Sequence, residues 1–198
     1  MTTAAVVLAA GGGARYTTSG GDGHKLLAPF MGWNVVGWSI LSAVSAKLDA
    51  TYVVVGAVEI PRIDGVKYVD NERWTEGLSS SLQAGVTAAA RDGHSAVVVG
   101  LGDQPLVVGE AWRQMASVDG RARSRAKIAV ATYDGRRGHP LRLDRRVWPL
   151  LPEQGEGGAA LLIRRRPDLV VEVPCAGHPA DIDTTDDLRR WSGQPVAH

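Results

Sequence analysis

Val6-Val7-Leu8-Ala9-Ala10-Gly11-Gly12-Gly13-Ala14-Arg15 joins an apolar run of β-strand type to three consecutive glycines and an arginine. Glycine adopts backbone angles that other residues avoid, and it lets a ligand approach the main-chain N–H groups closely. A second cation, Lys25, follows a little later in the chain. A strand that ends in such a loop is typical of a phosphate-binding site, and a plain tight turn is the structural alternative. We predict that this segment begins an α/β sheet and binds phosphate.

Valine-rich apolar runs recur along the chain. They lie at Ala4–Ala10, Thr51–Ala57, Val66–Val69, Ser95–Leu101, Ala126–Thr132 and Leu169–Pro174. Helical spacing of apolar residues predicts helices at Val35–Leu48, Ser79–Arg91, Glu110–Val118 and Gly158–Arg166. Strands that are apolar at every position are typical of a parallel sheet that is covered on both faces. The alternation therefore predicts a three-layer α/β/α fold with a mostly parallel, Rossmann-like sheet.

Composition limits the classes of protein that the chain can belong to. Its 198 residues are 44% hydrophobic and 22% charged, which is ordinary for a globular protein. The length predicts a single domain over residues 1–192. The polar, basic stretch Ser117–Arg125 is predicted to be a solvated loop, and residues 193–198 a flexible tail. The formal net charge of +1 gives no argument for nucleic acid or a membrane surface as a partner. No apolar run approaches the roughly 20 residues of a membrane span. The single cysteine, Cys175, excludes an internal disulfide, so we expect a cytoplasmic protein.

The glycine loop differs from two common phosphate-binding patterns. A Walker A motif requires Gly-Lys-Ser/Thr, and the nearest stretch is Gly23-His24-Lys25-Leu26. A dinucleotide fingerprint requires a third glycine where this chain has Ala14-Arg15-Tyr16. The loop is therefore expected to serve another kind of phosphate chemistry.

Polar residues follow three of the predicted strands, at Gly11–Arg15, Asn71–Gly77 and Gly102-Asp103. Ligands of open α/β sheets bind outside the carboxyl ends of the strands, so one crevice can collect all three segments. Asp103 would then be placed to bind Mg²⁺, which prefers one or two carboxylates together with substrate phosphates. A simple turn is the alternative for Asp103.

A second group of carboxylates lies near the end of the sequence. In an extended conformation Asp181 and Asp183 point to one side and Ile182 to the other, so either aspartate could complete a metal site with Asp103. We assign Thr184 and Asp187 to a capping box at the start of a short helix.

Asn71 and the serines after it allow two interpretations. The amide of Asn71 offers a donor and an acceptor, which suits the edge of a nucleobase. Ser79 and Ser81 are predicted to cap the free N–H groups at the start of a helix.

Leu8-Ala9-Ala10-Gly11-Gly12-Gly13-Ala14-Arg15, followed by Lys25-Leu26-Leu27-Ala28-Pro29, resembles the signature of the nucleotidyltransferases related to the molybdenum cofactor cytidylyl- and guanylyltransferases. Other segments are similar to further motifs of that family, in order Asn71–Leu82, Val97–Pro105, Gly135–Pro140, Gly155–Ala159 and Asp181–Leu188. One departure is the stretch Thr17–Gly23, because the family has Met-Gly there and a short path to the lysine.

The resemblance implies a sheet of the nucleotide-diphospho-sugar transferase type and a set of roles. The loop Leu8–Gly13 would wrap a nucleoside triphosphate, Arg15 and Lys25 would contact its phosphates as catalytic residues, and Asp103 would bind the metal, Mg²⁺ or Mn²⁺. The other nucleotide-binding residues implied are Asn71 and Ser80. The residues implied for the acceptor are Arg137, Gly138, His139, Gly157 and Gly158. A catalytic base is not needed from His139, because an acceptor phosphate is already deprotonated.

The activity that the resemblance implies is transfer of a nucleoside monophosphate to a phosphorylated small molecule, with release of pyrophosphate. Alanine at the third place of Leu8-Ala9-Ala10-Gly11 looks more like the cytidylyl branch, which implies CTP and the molybdopterin of the molybdenum cofactor. The alternatives are GTP or another phosphorylated acceptor on the same fold, and a non-catalytic protein that matures or delivers the cofactor. A molybdoenzyme or a maturation protein is a further candidate partner.

Overall fold

A seven-stranded sheet forms the centre of the molecule. The computed structural model describes residues 2–118 and 126–193. In these ranges the strands are β1 Thr3–Ala9, β2 Pro29–Phe30, β3 Trp33–Asn34, β4 Ala50–Val55, β5 Lys67–Asp70, β6 Ala96–Leu101, β7 Ile128–Tyr133, β8 Arg136–Asp144 and β9 Val170–Pro174. The order in the sheet is β5-β4-β1-β6-β8-β7-β9, and β2 and β3 form a separate hairpin. Strands β5, β4, β1 and β6 are parallel, as are β7 and β9, whereas β8 is antiparallel to both of its neighbours.

Helices follow most of the strands and cover the sheet. They are α1 Ala14–Thr18, α2 Val35–Ser45, α3 Leu78–Arg91, α4 Gly109–Ser117, α5 Ala160–Arg165 and α6 Thr185–Ser192. Short 3₁₀ turns lie at Lys25–Leu27, Trp74–Glu76, Arg145–Leu150 and Pro167–Leu169. No helix within the described ranges combines the length and the apolarity needed to cross a membrane.

The side chains of β1 alternate between two hydrophobic cores. Val6 and Leu8 pack with α3 and α5 on one face of the sheet, whereas Ala5 and Val7 pack with α2 and α4 on the other. Successive residues of a strand point to opposite faces, so a strand that is apolar at every position needs a helix layer on each side. The predicted α/β/α fold with a mostly parallel sheet is thereby confirmed.

The sequence patterns located most elements but missed strand β8 of the main sheet and the short hairpin of β2 and β3. Each predicted strand and helix overlaps an observed one. The first long helix, predicted to continue to Leu48, ends at Ser45, because Lys47 adopts a left-handed backbone conformation with φ 54°. Strand β8 was not predicted, because Gly138 and Pro140 interrupt its apolar pattern. Its pairing with β7 is also irregular, since Val130 pairs with Leu141 while the adjacent Ala131 pairs with Gly138.

The predicted solvated loop at Ser117–Arg125 lies outside the described residues, apart from Ser117 and Val118. The predicted flexible tail at 193–198 also lies outside them, apart from Gly193.

Gly100 in β6 should not tolerate a side chain. A Cβ at this position would lie 2.5 Å from a ring carbon of Trp112, which is fully buried. Because an overpacked core must shift rigid neighbours, we expect Gly100→Ala to lower the free energy of unfolding by roughly 1–3 kcal/mol, measured by urea denaturation. Gly193→Ala is the control, because a Cβ at Gly193 would have no neighbour within 4 Å. Equal stability of the two variants would contradict this account.

His139 should make the fold sensitive to acid. Desolvation lowers the pKa of His139 to about 4, although the nearby Asp103 opposes this shift. Below pH 6.5 the unfolded chain binds a proton that the folded chain accepts only near pH 4, so stability is lost as the pH falls through this range. We expect the free energy of unfolding to drop by about 2 kcal/mol between pH 7.5 and pH 5 on account of this residue. His139→Gln should remove that part of the slope in urea titrations, and an unchanged slope would refute the assignment.

Candidate active site

A cleft of about 720 Å³ opens where the parallel strands β1 and β6 end. Its lining comes from the loop after β1, the segment after β6, the start of α3 and the chain before α6. The residues are Leu8–Arg15, Lys25, Leu26, Trp74, Thr75, Gly77, Leu78, Ser81, Leu101, Asp103, Glu156, Asp181 and Asp183. The predicted crevice at the carboxyl ends of the strands is therefore present.

The glycine loop is held at both sides by main-chain hydrogen bonds. Gly102 N donates to Leu8 O at 2.8 Å, which ties the end of β1 to the segment after β6. Ala57 N donates to Ala10 O at 3.0 Å from the segment after β4. Gly13, with φ 67°, then turns the chain into α1, a left-handed conformation that glycine adopts without steric cost.

Lys25 connects two carboxylates at the floor of the cleft. Its Nζ lies 2.6 Å from Asp103 Oδ2 and 2.7 Å from Asp183 Oδ1. The other oxygen of Asp183 lies 2.7 Å from Arg15 Nη1. Arg15 is far more exposed than Lys25, with side-chain exposures of 76% and 11%. The sequence distributes these groups over most of the chain, and the fold brings them into one network of ion pairs.

Neighbouring groups and burial raise the pKa values of Lys25 and Asp181, which both line the cleft. Burial by itself would lower the pKa of Lys25, but the carboxylates of Asp103 and Asp183 outweigh it and raise that pKa. Burial, and next the charge of Asp103, raise the pKa of Asp181, while a hydrogen bond from Gln104 opposes this rise. Lys25 is therefore a permanent cation in a cluster where negative charge accumulates.

The strand-like segment before α6 is attached to the end of β6. Ile182 N donates to Asp103 O at 2.9 Å. Ile182 is fully buried, whereas Asp181 and Asp183 line the cleft, which is the alternation expected of an extended chain. The predicted capping box of Thr184 and Asp187 is present at the start of α6.

A third hydrophobic cluster supports the side of the cleft that carries the charged groups. It packs Tyr16 of α1, Phe30 of β2, Leu106 and Ile182 together. Each of these apolar residues lies close in sequence to Arg15, Lys25, Asp103 or Asp183. Burying them together fixes the backbones that carry those charged side chains.

The carboxylates fit a divalent cation in their chemistry. Asp103 Oδ1 is buried and has no hydrogen-bond partner among the described residues, so it is a free oxygen donor of the kind that Mg²⁺ and Mn²⁺ accept. Asp103 was predicted to bind the metal together with either Asp181 or Asp183, and no group of three metal-ligating side chains forms among the described residues. Lys25 already neutralises an oxygen of Asp103 and of Asp183, so a metal would have to compete with its ammonium group.

Asn71 has a structural role at the start of α3. Its Nδ2 donates to Ser80 Oγ and Ser81 Oγ, both at 3.0 Å, and its Oδ1 accepts from Arg73 N at 3.1 Å. Asn71 is buried, and neither Asn71 nor Ser80 lines the cleft. The amide thus holds the 3₁₀ turn at Trp74–Glu76 against the first turn of α3.

The prediction that Ser79 and Ser81 cap α3 is wrong. The residue before the helix is Gly77, and no side chain caps the helix. Ser79 N instead donates to Gly155 O at 3.0 Å, and Ser79 Oγ accepts from Gly158 N at 3.2 Å. At Gly77, with φ 97°, a Cβ would lie 2.6 Å from the carbonyl carbon of Gly155. A docked loop therefore satisfies this helix end, which local sequence does not reveal.

None of the residues predicted for the acceptor belongs to the lining of the cleft. Arg137 of β8 pairs at 2.7 Å with Glu172 of the edge strand β9, and both residues are exposed. His139 lies in the irregular part of β8, close enough to Asp103 for their charges to interact. Gly157 and Gly158 belong to the loop that docks on α3, where Glu156 faces the cleft.

Trp74 and Glu156 are two of the lining residues that were not predicted to belong to the site, although both lie in segments already singled out. Trp74 belongs to the Asn71–Leu82 motif, and its indole lies over Gly12, where a Cβ would be 3.1 Å from a ring carbon. Glu156 occupies the acidic position of Gly155–Ala159. The sequence offered a signal for each residue, because Trp74 is an aromatic residue and Glu156 an acidic residue inside a segment that resembles a family motif.

Comparisons with known proteins support the fold. Nicotine blue oxidoreductase of Paenarthrobacter nicotinovorans is 29% identical over 187 residues, which cover 86% of this chain and 88% of that protein. A nucleotidyl transferase from Methanothermobacter thermautotroptrophicus superposes with a TM-score of 0.80 at 26% identity, over 96% of this chain and 95% of that chain. Rv0371c of Mycobacterium tuberculosis, in complex with manganese, superposes with a TM-score of 0.74 at 28% identity, over 96% and 97%. The model of the MobA-like NTP transferase domain matches residues 5–170, and the chain belongs to that family.

Proposed function

We propose that this protein transfers CMP from CTP to the phosphate of molybdopterin in the molybdenum cofactor. An oxygen of the acceptor phosphate attacks the α-phosphorus of CTP and forms a new P–O bond. The bond between the α-phosphorus and the bridging oxygen breaks, and pyrophosphate leaves with that oxygen and its electron pair. No change of oxidation state is involved.

One observation carries this proposal. A single cleft contains a glycine loop, two cations and two carboxylates that Lys25 joins at 2.6 and 2.7 Å. A triphosphate transfer requires main-chain N–H groups and cations for the phosphates and carboxylates for a divalent metal. The membership of the MobA-like NTP transferase family supports the same activity.

In the proposed reaction the residues act by positioning and by charge. The loop Leu8–Gly13 surrounds the triphosphate, and Arg15 and Lys25 neutralise charge on the departing pyrophosphate. Asp103, with Asp181 or Asp183, would hold Mg²⁺ or Mn²⁺, and that metal would supply charge neutralisation at the phosphate oxygens when bound. The manganese complex of the relative Rv0371c supports a divalent ion in this fold.

The choice of substrates rests on fewer residues. Ala10 at the third place of the loop motif supports CTP over GTP. We assign the acceptor to the side of the cleft near His139 and the loop of Gly157 and Gly158, where Glu156 offers a carboxylate to N–H groups of a bound ring. Arg137 would join this side only if its pair with Glu172 opened.

The alternatives are a different acceptor or GTP, a non-catalytic cofactor carrier, and a redox activity. The name of one relative, nicotine blue oxidoreductase, motivates the last of these. A matrix of CTP, GTP, UTP and ATP against molybdopterin and phosphorylated sugars, with pyrophosphate release as the readout, separates the transferases. Reduction of nicotine blue with NADH or NADPH tests the redox candidate. Pyrophosphate release that depends on CTP and molybdopterin supports our proposal, and its absence with that pair refutes it.

Asp103→Asn should abolish the reaction without unfolding the protein. The substitution keeps the shape of the side chain but removes the charge that would bind the metal, so we expect pyrophosphate release to fall roughly 100-fold or more. Asp168→Asn is the control, because Asp168 is an exposed carboxylate that pairs with Arg166. Unchanged release in Asp103→Asn would refute the metal assignment.

Lys25→Gln should affect metal and nucleotide in opposite directions. Loss of the ammonium leaves the carboxylates of Asp103 and Asp183 without their closest cation, so Mn²⁺ alone should bind about tenfold more tightly. CTP should bind about tenfold more weakly, because a phosphate contact is lost. Isothermal titration calorimetry measures both affinities separately. A weaker or equal affinity for Mn²⁺ would show that Lys25 does not compete with the metal.

A further inference from the structure

His24 joins the glycine loop to the turn that carries Lys25. After the loop, the chain runs through α1 and the stretch Thr17–Gly23 and reaches His24, directly before Lys25 enters the cleft. One ring nitrogen, Nε2, lies 2.9 Å from Gly11 O. The other, Nδ1, accepts a hydrogen bond from Leu26 N at 3.2 Å. The imidazole therefore spans the two segments that enclose the proposed triphosphate site.

The two contacts of His24 determine which nitrogen holds the proton. Leu26 N–H is a donor, so Nδ1 must be unprotonated to accept from it. The proton then lies on Nε2, which donates to Gly11 O. Burial, and to a lesser degree the neighbouring Lys25, lower the pKa of His24, while the bond to Gly11 opposes this. The ring is thus a neutral bridge with one donor and one acceptor, both engaged.

The ring is also packed against the loop. A Cβ at Gly13 would lie 3.3 Å from His24 Nε2 and 3.2 Å from Lys25 Cγ. The imidazole and the stem of Lys25 therefore lie side by side on the backbone of the loop. A movement of the loop would disturb both, and a movement of His24 would shift the turn that begins with Lys25.

The stretch Thr17–Gly23, here called the extension, is attached to the start of α6 through Ser19. Thr185 N donates to Ser19 Oγ at 3.0 Å, and Thr185 Oγ1 donates to Ser19 O at 3.1 Å. These bonds fix the extension to the start of α6. At the end of the extension, His24 connects the glycine loop to the turn of Lys25 through its contact with Gly11 O.

We propose that His24 is a positioning residue that holds the glycine loop and Lys25 in one preorganised triphosphate-binding unit. This inference rests on the proposed function in one respect, namely that a nucleoside triphosphate binds at the loop. A site whose parts are already arranged loses less conformational entropy when the ligand binds. Loss of the bridge should therefore weaken the binding of the nucleotide, because the loop and Lys25 would have to be ordered during binding.

Three substitutions separate the two bonds of His24. Gln reaches about as far as Nε2, so His24→Gln keeps a donor for Gly11 O and loses the acceptor for Leu26 N. Asn places an oxygen near the position of Nδ1, so His24→Asn keeps the acceptor and loses the bridge to the loop. His24→Phe keeps the ring and loses both bonds. His178→Gln is the control, because His178 is an exposed histidine that contacts Trp191.

The first measurement is the dissociation constant for CTP with Mg²⁺, from calorimetry on the full chain. We expect about a fivefold to tenfold increase in His24→Phe and His24→Asn, the effect of one lost hydrogen bond, and a value within twofold of the original in His24→Gln. With molybdopterin as acceptor, kcat at saturating CTP and KM for the acceptor should stay within twofold. A merely structural role would instead reduce the folded fraction and leave the affinity of the remainder unchanged.

The second measurement needs no nucleotide. Hydrogen exchange of the free protein should be faster over the segment 11–26 in His24→Phe and His24→Asn, and close to the original rate in His24→Gln and His178→Gln. Normal exchange and normal CTP affinity in all three His24 variants would overturn the proposal. So would normal values in His24→Asn with losses in His24→Gln, because the bond to Leu26 would then be the important one.

The two measurements keep this inference apart from the proposed function. If the original protein binds none of the four nucleoside triphosphates, the proposed function fails. Hydrogen exchange then still decides whether His24 holds the loop and the turn together.

Discussion

The ammonium group of Lys25 between Asp103 and Asp183 is the interaction on which the site depends. Two carboxylates brought together at the floor of a cleft repel each other, and a buried cation within 2.7 Å of both removes that cost. In the reaction that we propose, the phosphates of the nucleotide would attract Lys25 and leave the carboxylate oxygens for a metal.

The fold must hold three remote segments in place for this network to exist. The bond from Ile182 N to Asp103 O brings the chain before α6 beside the end of β6. The third hydrophobic cluster adds Tyr16 and Phe30, which flank the segments of Arg15 and Lys25. The ion pairs of Lys25 and Arg15 are thus supported by buried apolar side chains that lie close to them in the sequence. This support explains why the site at the carboxyl ends of β1 and β6 lies beside a separate hydrophobic cluster.

Much of the candidate site could be predicted because its residues lie directly after strands. The loop Leu8–Gly13 and Asp103 end two neighbouring parallel strands, and general rules for α/β sheets place both in one crevice. Asn71 was harder, because an amide suits a nucleobase and a structural hydrogen bond equally well, and the structure uses it for Ser80 and Ser81. Strand β8 was missed because its register is irregular where Gly138 and Pro140 break the apolar pattern.

The sequence by itself determined the layers and the chemistry that the chain offers. Apolar alternation and helical spacing are local properties, and so are a glycine loop, a capping box at Thr184 and the presence of lysine and aspartate. Only the tertiary structure decided which of these groups meet. The pairing of Lys25 with Asp103 and Asp183, the docking of Gly155 on α3 and the bridge from His24 to Gly11 depend on distances between segments far apart in the chain or separated by a loop. Such distances are set by packing and main-chain hydrogen bonds, which no local pattern encodes.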